Sequence, residues 1–205
     1  MLEKQNTKNY NTIAILWVFI CILGRLVPHP ANVTPITSTC LFSGAKLNRY
    51  MRFAVILAIM LISDTTLAYL YGYPIFSFWS LFTYSGFGAI ILLGSKIKSG
   101  FLHRQVLYVI GSSLGFWIWT NFGVWLCDAI KIYPKTIAGL LHCYTLALPF
   151  LRNALLGDLV WFVVVFGVYN FVFVKSESGG TADALDLGSS GATCESSSLS
   201  SRTKK

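Results

Sequence analysis

Arg25, Asp64, Asn121, Arg152 and Asp158 each interrupt a stretch of the chain that is otherwise almost wholly apolar. Ionisable groups in such stretches are expensive to bury, so each needs a chemical account. Arg25 and Arg152 suit an anionic or carboxylate group, while Asp64, Asn121 and Asp158 offer acceptors and an amide. Tyr71, Tyr73, Trp125 and Tyr133 stand near the ends of the same stretches as candidate walls or rim. Trp and Tyr at such positions equally suit an interfacial belt, and Arg–Asp pairs equally suit mutual neutralisation that fixes helix packing.

The two aspartates raise the question of an aspartyl dyad. Leu156-Gly157-Asp158 lacks the fuller GxGD pattern, and Tyr84-Ser-Gly-Phe-Gly88 does not match a GxSG nucleophile loop. A motif without its partners is weak ground for an enzyme. The chain is therefore expected to have no catalysis of its own. It contains no P-loop, so any ATP coupling must come from partners. His29, His103 and His142 are scattered, and Cys21, Cys40, Cys127, Cys143 and Cys194 form no CxxC pair. Neither a metal, a cofactor nor a disulfide framework is expected.

The elements that must position these residues are apolar helices. Of 205 residues, 55% are hydrophobic and 12% charged, about half the charge of an ordinary soluble domain. Residues 53–62, 106–119 and 159–174 are long apolar runs, and the chain has too little polar sequence to cover them all in water. The expected fold is all-α, a polytopic transmembrane helical bundle of about six spans. The net charge of +8 sits mostly in short loops, which fits orientation in a lipid bilayer rather than nucleic-acid binding.

Along the chain, residues 1–11 read as a cytoplasmic N-terminus, 12–174 as the transmembrane domain and 175–205 as a Ser/Gly-rich disordered tail. The first helix is expected at about 10–27, broken by Pro28-His29-Pro30. A weaker segment, 33–46, is either a short crossing helix or a re-entrant piece. Spans follow at about 52–71, 75–95, 104–127 and 153–174, while 136–150, ending near Pro149, is either re-entrant or a further crossing. If 33–46 crosses, Lys4 and Lys8, then Lys46, Arg49 and Arg52, then Lys96, Lys98 and Arg104 share one side. The positive-inside rule makes that side cytoplasmic. Lys131 and Lys135 are exceptions. With 136–150 re-entrant, both ends are inside; a seventh crossing would put the tail outside. Asp64, Asn121 and Asp158 then lie roughly 8–10 Å deep in the outer half, near Arg25, with Arg152 and Asn153 at the mouth. Ala54-xxx-Ala58 and Gly111-xxx-Gly115 are expected to let helices of the bundle approach closely.

Several longer motifs carry a resemblance. They are Arg25-xx-Pro28-xxx-Asn32-xx-Pro35, Leu41-Phe-x-Gly44-Ala45 and Ser63-Asp64, then Asn121-Phe-Gly-Val-Trp125, Tyr133-Pro-Lys-Thr136, Ala147-Leu-Pro-Phe150, Arg152-Asn153 and Gly157-Asp158. Over about residues 12–174 the chain resembles a family of uncharacterised bacterial integral membrane proteins. That family is similar to the substrate-binding S components of energy-coupling factor (ECF) transporters. The resemblance implies six helices in the bacterial inner membrane and an outward-facing pocket for a vitamin- or metabolite-like small molecule. It also implies docking onto an ECF-type transmembrane coupling subunit driven by cytoplasmic ATPases. It extends the candidate substrate-binding set to Arg25, Asn32, Asp64, Asn121, Trp125, Tyr133, Arg152, Asn153 and Asp158. One departure is that Ala14 on the first helix is followed four residues on by Val18, where a small docking residue is common. A non-transporting membrane scaffold is the alternative, since fold does not fix function.

Overall fold

The structure is a computed structural model that describes residues 15–27, 30, 32–72, 74–97, 102–128 and 132–170. Residues 1–11, the tail 175–205, the Pro28-His29 break, Tyr73, Lys98 and Lys131 lie outside the described residues. The fold is all-helical: six helices and no strand occur among the described residues. They are α1 (Ile15–Leu26), α2 (Ile36–Lys46), α3 (Met51–Tyr71), α4 (Phe78–Gly94), α5 (Leu102–Leu126) and α6 (Ile137–Tyr169). Two compact units are distinguished, Met1–Phe166 and Gly167–Lys205. The second is described only over the last residues of α6.

Local chemistry sets the helix ends. The Asn48 side chain accepts the backbone N–H groups of Tyr50 and Met51 at the start of α3. At its other end Gly72 adopts the left-handed conformation (φ 71°), and its N–H reaches the Ala68 carbonyl, the αL stop that glycine makes without strain. Ser77 and Ser80 form a reciprocal capping box on α4. The Thr136 hydroxyl accepts from Gly139 N–H at the start of α6. Lys135 donates to the Trp125 and Leu126 carbonyls, closing the last turn of α5 where a cation complements the exposed C=O groups.

Pairwise contacts give the helices alternating directions. Trp17 meets Phe42, Cys21 bonds Thr39 and Gly24 abuts Pro35, so α1 and α2 run antiparallel. Gly44 packs on Gly94 and Ile91 near their carboxyl ends, while Thr37 shares a cavity with Thr83 and Phe87, so α2 and α4 are parallel. A Cβ on either Gly44 or Gly94 would collide with a backbone carbonyl of the other helix. The two backbones approach closely here, with a lone glycine on each side. Gly123 faces Phe82, so α4 and α5 are antiparallel; α6 in turn opposes α5, with Asp158 at Ser113 and Ala147 at Trp117. The α2–α3 and α4–α5 connections therefore share one end of the bundle.

Three expectations change. First, α2 has only 11 residues, roughly 16 Å of helix, and nine of them are buried. Its small and hydroxylated side chains let neighbours close around it, so it is the central strut of the bundle. Second, 136–150 and 153–174 are not separate elements. One helix of 33 residues runs through Pro149, about 50 Å long. Proline removes the N–H that would bond the Thr145 carbonyl, but it is exposed, and the Trp117 indole braces α6 by donating to the Ala147 carbonyl at 3.0 Å. Third, Gly111 and Gly115 are exposed, with open space where a Cβ would be. They close no contact within the bundle; Gly44 and Gly94 do that.

Met51–Tyr71 and Ile137–Tyr169 are each long and apolar enough to cross a membrane. Only 28% of each apolar window is buried within the protein, which separates them from the core helices of a soluble domain. Leu57, Leu61, Ile62 and Leu70 of α3, and Leu141, Leu146, Leu156, Val160 and Val163 of α6, all face outward. So large an apolar surface fits membrane association.

Candidate functional site

Toward the end of the bundle opposite the basic connections, side chains from all six helices wall one cavity of about 410 Å³. The helices contribute by register. The carboxyl-terminal turn of α1 brings Arg25 and the start of α2 brings Thr37; Met60 and Leu67 come from α3. Trp79, Thr83 and Phe87 recur at four-residue spacing on α4, as do Ser113, Trp117 and Asn121 on α5 and Ala154 and Asp158 on α6. Residues four apart stack on one helical face, so each helix presents a single stripe. Phe87 and Phe116 stack at 4.5 Å between centroids and form an aromatic wall.

Two polar clusters stand in this region. In the first, Arg25 Nη1 pairs with Asp64 Oδ1 at 2.8 Å and also donates to Ser63 Oγ at 2.7 Å, with Met60 Sδ at 3.2 Å. The Tyr84 hydroxyl donates to the other oxygen of Asp64 at 2.8 Å. Both ions are less than one-fifth exposed. Arg25 Nη1 and both oxygens of Asp64 are engaged in this way, as buried charged groups require. In the second, the Ser113 hydroxyl donates to Asp158 Oδ2 at 2.6 Å. Ser38 donates to the Asp158 backbone carbonyl at 2.9 Å, tying α2 to α6. Asp158 is 3% exposed, and among the described residues it has no ion pair. That sets it apart from Asp64.

Of the nine residues singled out in the sequence, Arg25, Asn32, Asn121 and Asp158 line the 410 Å³ cavity. Asn32 does so from the α1–α2 connection in a left-handed conformation (φ 66°), one that asparagine tolerates better than most residues. Asn121 donates its amide to the Trp117 carbonyl at 2.8 Å. Asp64 lines an adjoining cavity of about 290 Å³, which shares Arg25, Met60 and Trp79 with the first. Trp125, Tyr133, Arg152 and Asn153 line neither cavity. The Trp125 indole donates to the Pro134 carbonyl at 3.0 Å, and Lys135 lies over its ring. Tyr133 N–H donates to Asp128 Oδ2 at 2.6 Å, and its ring meets His142 edge-on. Burial, then Cys143 and Asp128, push the Tyr133 phenol above its usual range. Tyr71 is 63% exposed. Arg152 is exposed and Asn153 half-buried. Because α6 is continuous, Arg152 stands two residues, about 200° of rotation, from the cavity-lining Ala154.

Sequence reasoning missed Tyr84 and Ser113, the hydroxyl donors to the two carboxylates, and the aromatic wall of Trp79, Phe87, Phe116 and Trp117. The four-residue spacing of Trp79, Thr83 and Phe87 was the available signal. No curated protein and no solved structure matches this chain. Residues 5–179 match a family of unknown function, DUF6580, and with most of its length covered the chain belongs to that family.

Proposed function

We propose that this chain is a multi-pass membrane protein whose six-helix bundle binds a small molecule for uptake. It acts as a substrate-binding subunit of the bacterial inner membrane without catalysis of its own. The observation that carries the reading is a cavity walled by all six helices, with a few polar side chains set among apolar and aromatic ones. A volume of about 410 Å³ lies in the range of small-molecule sites, which are mostly apolar with a few placed polar groups. The inward turning of Arg25, Asp64 and Asp158 adds to it, because ionisable residues within membrane helices mark substrate paths by default.

Orientation follows from charge. Lys46, Arg49 and Arg52 flank the α2–α3 connection, and Lys96 and Arg104 flank the α4–α5 connection. By the positive-inside rule that end is cytoplasmic and the cavity faces outward. The N-terminus is then cytoplasmic. Energy for uptake would come from partners of the ECF type, a transmembrane coupling subunit with its ATPases, as the sequence resemblance implies.

The test is a thermal-shift screen of the full chain, purified in detergent, against vitamins, their precursors and amino-acid-like metabolites. A ligand that binds the native state raises its apparent stability by mass action. One or more hits are expected. No hit across the panel, with a sample shown to be folded, would favour a membrane scaffold instead.

A further inference from the structure

We infer that the ligand of the six-helix cavity carries a positive charge, held by Asp158 against the aromatic wall of Phe87, Phe116 and Trp117. The inference deepens the binding-subunit reading and rests on it. It comes from a charge balance. Two formally charged side chains line the 410 Å³ cavity, Arg25 and Asp158. Arg25 is already matched, because its Nη1 meets Asp64 at 2.8 Å while Ser63 and Met60 supply further contacts. A ligand carboxylate would have to compete with Asp64, which stays in place on the Tyr84 hydroxyl. Asp158 is the opposite case. It is buried, bonded to the Ser113 hydroxyl, and has no ion pair among the described residues. Arg152, six residues earlier on the same helix, is exposed on another face.

With Arg25 and Asp64 cancelling, one carboxylate is left uncompensated beside the cavity among the described residues. The rings next to it strengthen the preference. Their faces carry negative quadrupole potential and attract cations, more so where water is excluded. Asn121 and Thr120 on the same helix supply the neutral polar groups that would orient the rest of the molecule. Acceptor, aromatic faces and amide together describe a site for an organic ammonium or a cationic heteroaromatic ring. The anionic ligand expected for Arg25 and Arg152 from sequence does not fit this balance.

The experiment compares charge variants of one scaffold on the full chain in detergent. The probes are 1-methylnicotinamide (cation), nicotinamide (neutral) and nicotinate (anion), with choline against its neutral isostere 3,3-dimethylbutanol as a second scaffold. Binding is read by thermal shift and by saturation-transfer NMR. The cations should bind and the anion should not. Asp158→Asn should cut cation affinity by about 30-fold or more, the usual result of removing one member of a buried charge pair. Asp158→Glu should keep the cation preference, which separates charge loss from misfolding, and Arg49→Gln on the far connection should behave as the parent protein. Preference for the anion, or an undiminished cation preference in folded Asp158→Asn, would overturn the inference and leave the binding-subunit reading intact. Failure of every probe, together with the metabolite panel above, would overturn both.

Discussion

Replacing Asp64 by Asn should destabilise the bundle by about 2–3 kcal/mol. The carboxylate serves two donors on its two oxygens, Arg25 at 2.8 Å and Tyr84 at 2.8 Å. Asparagine keeps one acceptor oxygen and turns an amide donor toward whichever partner it loses. At 2.8 Å and an effective dielectric of 20, the ion pair contributes about 6 kcal/mol of gross attraction. Desolvation of the two ions offsets much of this. Breaking a buried pair costs about 3–5 kcal/mol, and the slight exposure of both side chains lowers that figure somewhat. Ser63 and Met60 remain to hold the guanidinium, so the loss stays short of complete unfolding. The assay is equilibrium unfolding in mixed micelles, followed by Trp fluorescence, for the parent, Asp64→Asn, Asp64→Leu, Arg25→Met and the double variant Arg25→Met/Asp64→Leu. Arg25→Met combined with Asp64→Leu should recover most of the loss, because it leaves no unpaired charge. A single-variant cost below about 0.5 kcal/mol, in the range of exposed ion pairs, would refute the burial and pairing on which the site description depends.

Further outcomes follow from the same geometry. Gly44→Val or Gly94→Val should prevent folding or cost more than about 3 kcal/mol, since backbone would have to move to admit the side chain; yield of monodisperse protein after extraction reads this directly. Pro149→Ala should raise stability by about 1–3 kcal/mol, because α6 is already continuous there and regains a backbone hydrogen bond; a loss in thermal unfolding would show that the proline shapes the helix. Ser113→Ala removes a hydroxyl donor from a buried carboxylate and should cost about 1–3 kcal/mol, measured by the same unfolding assay. Arg152→Ala should stay within about 0.5 kcal/mol of the parent, since the side chain is exposed and away from the cavities.

Much of the helix layout was legible because it is written in short-range chemistry. The apolar runs that became α3, α4 and α5 end within a few residues of their expected limits, at Tyr71, Gly94 and Leu126. What the sequence concealed depends on neighbours. Pro149 looks like a boundary, yet α6 passes through it. Residues 33–46 left a short crossing helix and a re-entrant piece both open; the hydroxyls of 36–46 bond to carbonyls such as Pro35 and Cys40 and are hidden. In the site, costly side chains stood out one at a time. Which of them meet depends on helix rotation, which composition does not record. Arg25 and Asp64 are 39 positions apart in sequence and form a pair, while Arg152 and Asp158 are six apart and face different ways. The Gly111/Gly115 pair carries the right spacing for close packing, but the bundle closes on Gly44 and Gly94, single glycines placed where two backbones cross.

The central claim is that a small molecule occupies the space enclosed by all six helices. Filling that space from α6 addresses it most directly. Ala154 lines the cavity, whereas Leu156 on the same helix faces outward, 56% exposed. Ligand-induced thermal shifts should be compared for the parent, Ala154→Phe and Leu156→Phe using the tightest ligand from the screen. The shift should vanish in Ala154→Phe and persist in Leu156→Phe, with both variants folded. An equal shift in Ala154→Phe and the parent protein would place the ligand elsewhere and contradict the account.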